Sequence, residues 1–300
     1  MSATDEQAER IAAVGYDYAA REVEPVDACN LCGSDDLVEV ARRDRYGYPA
    51  RLLVCHRCGL GFLSPRLTAR EYGVFYERVY RPLVSAYHGR RIDAETVQVE
   101  QRAYAAELVD FLRAKLPAPP RSVLDVGGST GVVAVAMRNA FGADATVLDP
   151  APDELRAAAA AGLETVAGFA EDFDPGPRRW DLVLPCQTID HLLDVRATLA
   201  SLRRLTAERG HAFVDVLDLM IAARKHESVE GAVKIDHPYY LTRETALAYF
   251  ARAGYVPVAE RLSDDGHWGF VLAAADPREP DWKHLQAAAD IELAELEELA

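Results

Sequence analysis

The segment Ser122-Val123-Leu124-Asp125-Val126-Gly127-Gly128-Ser129-Thr130-Gly131 limits what this chain can fold into more than any other. It begins as a short apolar run of strand type and closes on three glycines around a Ser-Thr pair. Val132 to Met137 follows, wholly apolar, as a buried helix requires. Strand, glycine turn and helix N-terminus together make the first unit of a nucleotide-binding α/β sheet. Glycine lets the backbone approach a ligand closely, and the first turn of a helix offers N–H groups that lack intrahelical partners. Asp125 stands two residues before Gly127 and Gly131 four after it, a D-x-G-x-x-x-G spacing that differs from the G-x-G-x-x-G of dinucleotide sites.

Downstream, strand and helix patterns alternate as a doubly wound sheet demands. Strands are expected at 122–126, 145–148, 164–167, 181–184, 212–216, 255–260 and 268–273, with helices at 132–141, 152–161, 195–206 and 243–253. The last two strands have no helix between them, which predicts a terminal antiparallel hairpin. The expected fold is therefore α/β: a seven-stranded, Rossmann-like, mostly parallel sheet. Ligands of such sheets sit at the carboxyl ends of the strands, where Asp149 ends the second strand and can accept both ribose hydroxyls of an adenosine. The same carboxylate could instead cap the helix that begins beside Pro150.

Four of the five cysteines form two C-x-x-C-G knuckles, Cys29/Cys32 and Cys55/Cys58, separated by 22 residues. That spacing predicts a four-thiolate zinc site on a small ribbon with strands near 37–40 and 51–54. Four thiolates leave no open coordination position, so the role expected of zinc is structural. Metal-free turns are the plainer alternative. The expected organisation is an acidic lead-in at 1–24, a zinc module at 25–66, helical linker and substrate-side helices at 67–120, the nucleotide-binding domain at 121–275 and an amphipathic helix at 276–300. Tyr72, Tyr76 and Tyr80 recur every four residues within the linker. They are either a packing stripe or, for Tyr76 and Tyr80, side chains that reach an active site.

The glycine segment resembles motif I of class I S-adenosylmethionine (SAM) methyltransferases, and three further segments agree with it in order. Gly168-Phe169-Ala170-Glu171-Asp172-Phe173 resembles the stretch that cups adenine, and Cys186-Gln187-Thr188-Ile189-Asp190-His191 the motif IV loop beside the methionine end. The resemblance implies a cofactor site of Asp125, Gly127, Gly128, Ser129, Gly131, Asp149, Phe169, Ala170, Glu171, Asp172 and Gln187. Ser129 departs from the pattern, replacing the central glycine, with a glycine at 128 instead. Asp236-His237-Pro238-Tyr239-Tyr240-Leu241-Thr242 further resembles the E-H-x-x-Y-F-S segment of zinc-bearing sugar C-methyltransferases, which act on nucleotide-linked keto-sugars. By that resemblance His237 is the general base and Asp236 its acidic neighbour, while His191 and Asp194 match an H-x-x-D. Lys234 stands where that family has tyrosine. About 25 residues follow the last expected strand, where those proteins carry a further large domain. His237 could instead cap or pack the following helix, and His191 could brace its loop.

A formal net charge of −15 opposes phosphate backbones and anionic membrane surfaces, and no apolar run reaches bilayer length. Nucleic acid and membrane are thus not expected as partners, and the expected setting is the cytoplasm. A small-molecule acceptor, a saccharide or nucleotide-sugar, is the expected partner, with a homodimer through the C-terminal helix conceivable. Two other readings are an RNA methyltransferase with a zinc ribbon, which the acidity disfavours, and a non-catalytic SAM-binding scaffold, which the Asp236-His237 pair disfavours.

Overall fold

The computed structural model describes residues 3–92 and 94–300, so the ends of two expected segments, residues 1–2 of the lead-in and residue 93 of the linker helix, lie outside it. The chain divides into two compact units: residues 98–218 with 241–281, and residues 1–97 with 219–240 and 282–300.

The first of these contains the expected sheet. Its elements are β1 (Ser122–Val126), α1 (Val132–Phe141), β2 (Asp144–Asp149), α2 (Pro152–Ala160), β3 (Glu164–Ala167), β4 (Trp180–Leu184), α3 (Val195–Leu205), β5 (Thr206–Leu217), α4 (Arg243–Ala253), β6 (Tyr255–Leu262) and β7 (His267–Ala274). The strand order is β6-β7-β5-β4-β1-β2-β3. Neighbours from β5 to β3 are parallel, whereas β7 runs antiparallel to both β5 and β6. The seven-stranded Rossmann-like sheet with its terminal hairpin is as the sequence predicts.

The central strands are apolar on both faces because helices cover both. One cluster packs Leu108 and Leu112 of the helix Ala94–Lys115 with Val123, Met137, Leu182, Leu184, Phe213 and Val271. A second joins Ala134, Val147, Leu155, Ala158 and Leu163. Thr242 caps α4 in a reciprocal capping box with Thr245.

The other unit is built on a four-stranded antiparallel sheet: Tyr239–Tyr240, Gly61–Leu63, Leu52–Cys55 and Leu37–Ala41, in that spatial order. The ribbon expected between the knuckles is thus two strands of four. Its far edge comes from a segment almost two hundred residues away in sequence, with Tyr239 opposite Phe62 and Tyr240 opposite Gly61. The tyrosine stripe is carried by two helices, Ala69–Arg78 and Tyr80–His88, which meet at Val79. The lead-in, for which the sequence leaves a frayed helix or a disordered segment open, contains a helix over Ala3–Ala12, and Tyr18 is buried. The C-terminal helix Trp282–Glu298 buries Leu285, Ala289, Leu293 and Leu296 within this unit, while Ile291 is exposed.

Candidate active site

In the sheet unit the turn after β1 forms a cradle of acidic side chains and absent ones. Asp125 is 1% exposed, and its Oδ2 accepts the Ala134 N–H at 3.1 Å, tying the strand end to the first turn of α1. Burial, with the nearby Asp149 adding to it, pushes this carboxyl up to about 7. A Cβ on Gly128 would lie 2.6 Å from Asp125 Cγ. Gly127 and Gly131 both have positive φ, and Gly131 caps α1 without a side-chain hydrogen bond. Ser129 adopts a left-handed φ of 49°. Its N–H donates to Asp149 Oδ2 at 2.9 Å, while its hydroxyl donates to Glu154. Asp149 also accepts the Ala151 N–H at 2.8 Å. Ala151, not Asp149, occupies the cap position of α2, so the carboxylate clamps the turn to the end of β2.

The remaining expected cofactor residues are placed as follows. Phe169 is 59% exposed at the end of β3, whereas Ala170 beside it is buried. Glu171 accepts a hydrogen bond from the Thr198 hydroxyl, so this carboxylate is engaged by α3. Asp172 is exposed, and its N–H closes a turn onto the Phe169 carbonyl. Gln187, after β4, has a positive φ of 49° and donates its N–H to Asp215 Oδ1 at 2.6 Å. A small open cleft is lined by Asp125, Gly127, Gly128, Cys186 and Gln187 together with Gln101 and Tyr104. Tyr104 and Asp215 were not singled out from sequence. A lone carboxylate inside the apolar run Ala212 to Val216 is the signal that could have flagged Asp215.

His191 ends a short 3-10 turn at Ile189–His191, and the neighbouring Asp190 accepts the Leu217 N–H at 3.3 Å.

The cysteine unit brings Tyr76, Tyr80, Asp236 and His237 together. His237 is 6% exposed and Asp236 1%. Asp236 Oδ2 lies 3.6 Å from His237 Nε2, and Lys234 Nζ lies 3.3 Å from the same nitrogen. Tyr76 donates its hydroxyl to the Asp236 carbonyl at 2.9 Å, and the Tyr80 ring lies 5.6 Å from that of Tyr76. Two buried groups hold this loop. The Tyr240 hydroxyl takes the Lys234 N–H and donates to the Lys234 carbonyl, both at 2.7 Å. Asp44 accepts from the Tyr46, Tyr48 and Ile235 N–H groups. Burial pushes the Asp44 carboxyl up to about 7 against those three bonds. The role of capping the next helix, one alternative for His237, belongs to Thr242.

Sγ atoms of Cys29, Cys32, Cys55 and Cys58 all lie within 4.8 Å of one another, with Cys29–Cys58 and Cys32–Cys55 at 3.5 Å. Tetrahedral zinc with Zn–S bonds of about 2.3 Å needs sulfurs at this spacing, so the donor set fits the ion. Gly33 and Gly59 have positive φ, but their N–H groups donate to the Cys29 and Cys55 carbonyls, not to sulfur. His56 is no part of the cluster: it lies between Asp36 and Asp290, at 3.1 and 3.4 Å.

Sheet order and carboxylate-glycine cradle together are those of a class I SAM-dependent methyltransferase. A family model described as a methyltransferase domain matches residues 97–260, more than half of the chain, and the chain belongs to that family. The C-methyltransferase NovU of Streptomyces niveus is 25% identical over 292 residues, covering 90% of this chain and 65% of NovU, so the chain spans a little under two thirds of that relative. Among solved structures, the 1,6-didemethyltoxoflavin-N1-methyltransferase of Burkholderia thailandensis matches with a TM-score of 0.51 and 19% identity, over 73% of this chain and 96% of that one. The PH0226 protein of Pyrococcus horikoshii also gives 0.51, at 17% identity over 58% and 91%. At these identities the structural matches establish the fold. Among the described residues no helix is long and apolar enough to cross a membrane.

Proposed function

We propose that the chain transfers a methyl group from SAM to a small-molecule acceptor, a saccharide or nucleotide-linked sugar, with His237 as the general base. The observation that carries this reading is the buried His237, held against Asp236 and Lys234 by a loop that Tyr240 and Asp44 pin from below. The name of NovU, a C-methyltransferase, supports transfer to carbon.

The cofactor would be held by Asp125, the glycine turn, Asp149 and Gln187, with Phe169 as an exposed surface for the adenine ring. When bound, SAM supplies an electrophilic methyl on a positively charged sulfur. Everything else falls to the chain. The Gly127-Gly128 backbone leaves room for the methionine end, and the Asp149 carboxylate meets the ribose. His237 takes a proton from the acceptor carbon or hydroxyl at a ring nitrogen, and the Asp236 carboxylate stabilises the resulting imidazolium. Lys234 supplies a cation beside the developing oxyanion. Zinc at the four cysteines would anchor the sheet whose edge strand carries Tyr239 and Tyr240, and so fix the base without taking part in the reaction.

The test uses purified protein, isotopically labelled SAM and a nucleotide-linked keto-hexose, with product read by mass spectrometry. His237→Ala should lower turnover by roughly 10²–10⁴-fold while the affinity for S-adenosylhomocysteine (SAH) stays within about twofold. Turnover within a few-fold of wild type would remove His237 from the base role. Lost SAH binding would make it a structural support.

A further inference from the structure

Tyr104 on the helix Ala94–Lys115, with Cys186 and Gln187 after β4, lines one wall of the cavity beside the glycine turn. Behind it stands Asp215, on β5 and 4% exposed. Its two oxygens are used separately. Oδ1 accepts the Gln187 N–H at 2.6 Å, and Oδ2 accepts the Tyr104 hydroxyl at 2.7 Å. Donors at both oxygens favour the ionised form, which accepts at each without having to donate. Burial raises the pKa of this carboxyl despite the two hydrogen bonds and the nearby His267, so its charge depends on those two donors.

The arrangement is maintained against strain. Gln187 is a non-glycine residue at positive φ, a conformation that costs about 1–2 kcal/mol. Its N–H is thereby aimed at Asp215. Tyr104 spends its only proton on the same carboxylate and its oxygen is also a hydrogen-bond partner of Cys186, so toward a ligand the phenol oxygen can act only as an acceptor. Hydrogen bonding to an anion makes that oxygen more electron-rich. Asp125 lines the cavity as well. The wall therefore presents two acidic side chains and a phenol, hydrogen-bonded to one of them, whose face toward a ligand can only accept.

This is the chemistry that favours a positive centre. Methyl transfer removes one: the sulfur is a sulfonium cation in SAM and a neutral thioether in SAH. We propose that Tyr104, charged through Asp215, is a specificity-determining residue that recognises the sulfonium, making the site prefer SAM to its own product. The proposal rests on the assignment of this cavity to the methionine end of SAM and is independent of the acceptor and of His237.

The test is calorimetric, with no acceptor present. Wild-type protein, Tyr104→Phe and Asp215→Asn are titrated with SAM, with SAH and with sinefungin, which carries an amine in place of the sulfonium. Tyr104→Phe removes one oxygen and keeps the ring. It should raise the Kd for SAM and sinefungin about tenfold and leave that for SAH within about twofold. Asp215→Asn, near-isosteric and uncharged, should shift the SAM-to-SAH ratio in the same direction. Equal weakening of all three ligands by Tyr104→Phe would make the residue structural and overturn the proposal, as would no change in any of them. If Asp215→Asn folds and leaves the ratio untouched, the carboxylate is not the source of the preference. Failure of wild-type protein to bind any of the three would instead refute the cofactor site itself.

Discussion

Replacing Gly128 with alanine tests the cradle at its tightest point. The new Cβ would lie 2.6 Å from Asp125 Cγ, 2.7 Å from Oδ2 and 3.1 Å from Cβ. None of these atoms can swing away cheaply. Asp125 is 1% exposed, and its Oδ2 holds the Ala134 N–H. Overpacking of this kind costs about 1–3 kcal/mol, and loosening the buried hydrogen bond adds about 1. The expected loss is therefore about 2–4 kcal/mol, equivalent to a fall in melting temperature of roughly 4–16 °C.

Two controls separate contact from backbone conformation. Gly142 has a φ of 68° and nothing within 4 Å of its would-be Cβ, so Gly142→Ala should cost only the left-handed penalty of about 1–2 kcal/mol. Ser129→Gly relieves such a penalty but loses the Glu154 bond and stiffness in the unfolded chain, so its net effect should lie within about 1 kcal/mol. Urea unfolding followed by near-ultraviolet circular dichroism, with SAH calorimetry alongside, measures all three. The reasoning fails if Gly128→Ala stays within 1 kcal/mol of wild type, or if Ser129→Gly proves the more damaging change.

Other outcomes follow from the buried groups. Purified protein should carry about one zinc, and a strong chelator or Cys58→Ser should unfold the cysteine unit while the sheet unit keeps SAH affinity; elemental analysis well below one equivalent would count against the site. Asp125, raised by burial to about 7 from an unfolded value near 3.9, binds more protons in the native state between those values. Its contribution to stability therefore falls as pH rises from about 4 to 7, by on the order of 4 kcal/mol, and Asp125→Asn should flatten that slope in urea midpoints measured across the window. Tyr240→Phe strips two hydrogen bonds from the Lys234 backbone, costing about 1–3 kcal/mol, and should lower turnover more than SAH affinity.

What could be read from the sequence divides along a physical line. Most of β1 to β7 were legible nearly to the residue because they are local apolar runs bounded by glycine, proline or a charged residue, and because short connections leave a parallel sheet few topologies; β3, Glu164–Ala167, is the polar member. β5 is the exception in length. It starts at Thr206, in a polar stretch where alternation carries no apolar signal, and its pairing with β4 is irregular there. The cysteine unit could not be assembled in the same way, since the information that builds it is not local. Nothing in Tyr239-Tyr240 says that it pairs with Gly61–Leu63, or that Tyr240 will clasp a lysine six residues earlier. The even spacing of Tyr72, Tyr76 and Tyr80 suggested a single helix that the structure divides at Val79. Asp44 showed least of all: a buried carboxylate that accepts three backbone N–H groups looks in sequence like any polar loop residue. The consequence bears on chemistry as well as on fold. His237 follows β5 in sequence yet belongs to the unit held by the cysteines, so the proposed base is positioned by a sheet whose own strands lie near the four thiols. Metal loss should therefore reach turnover through the base, with the SAM cradle, built within the other unit, left intact.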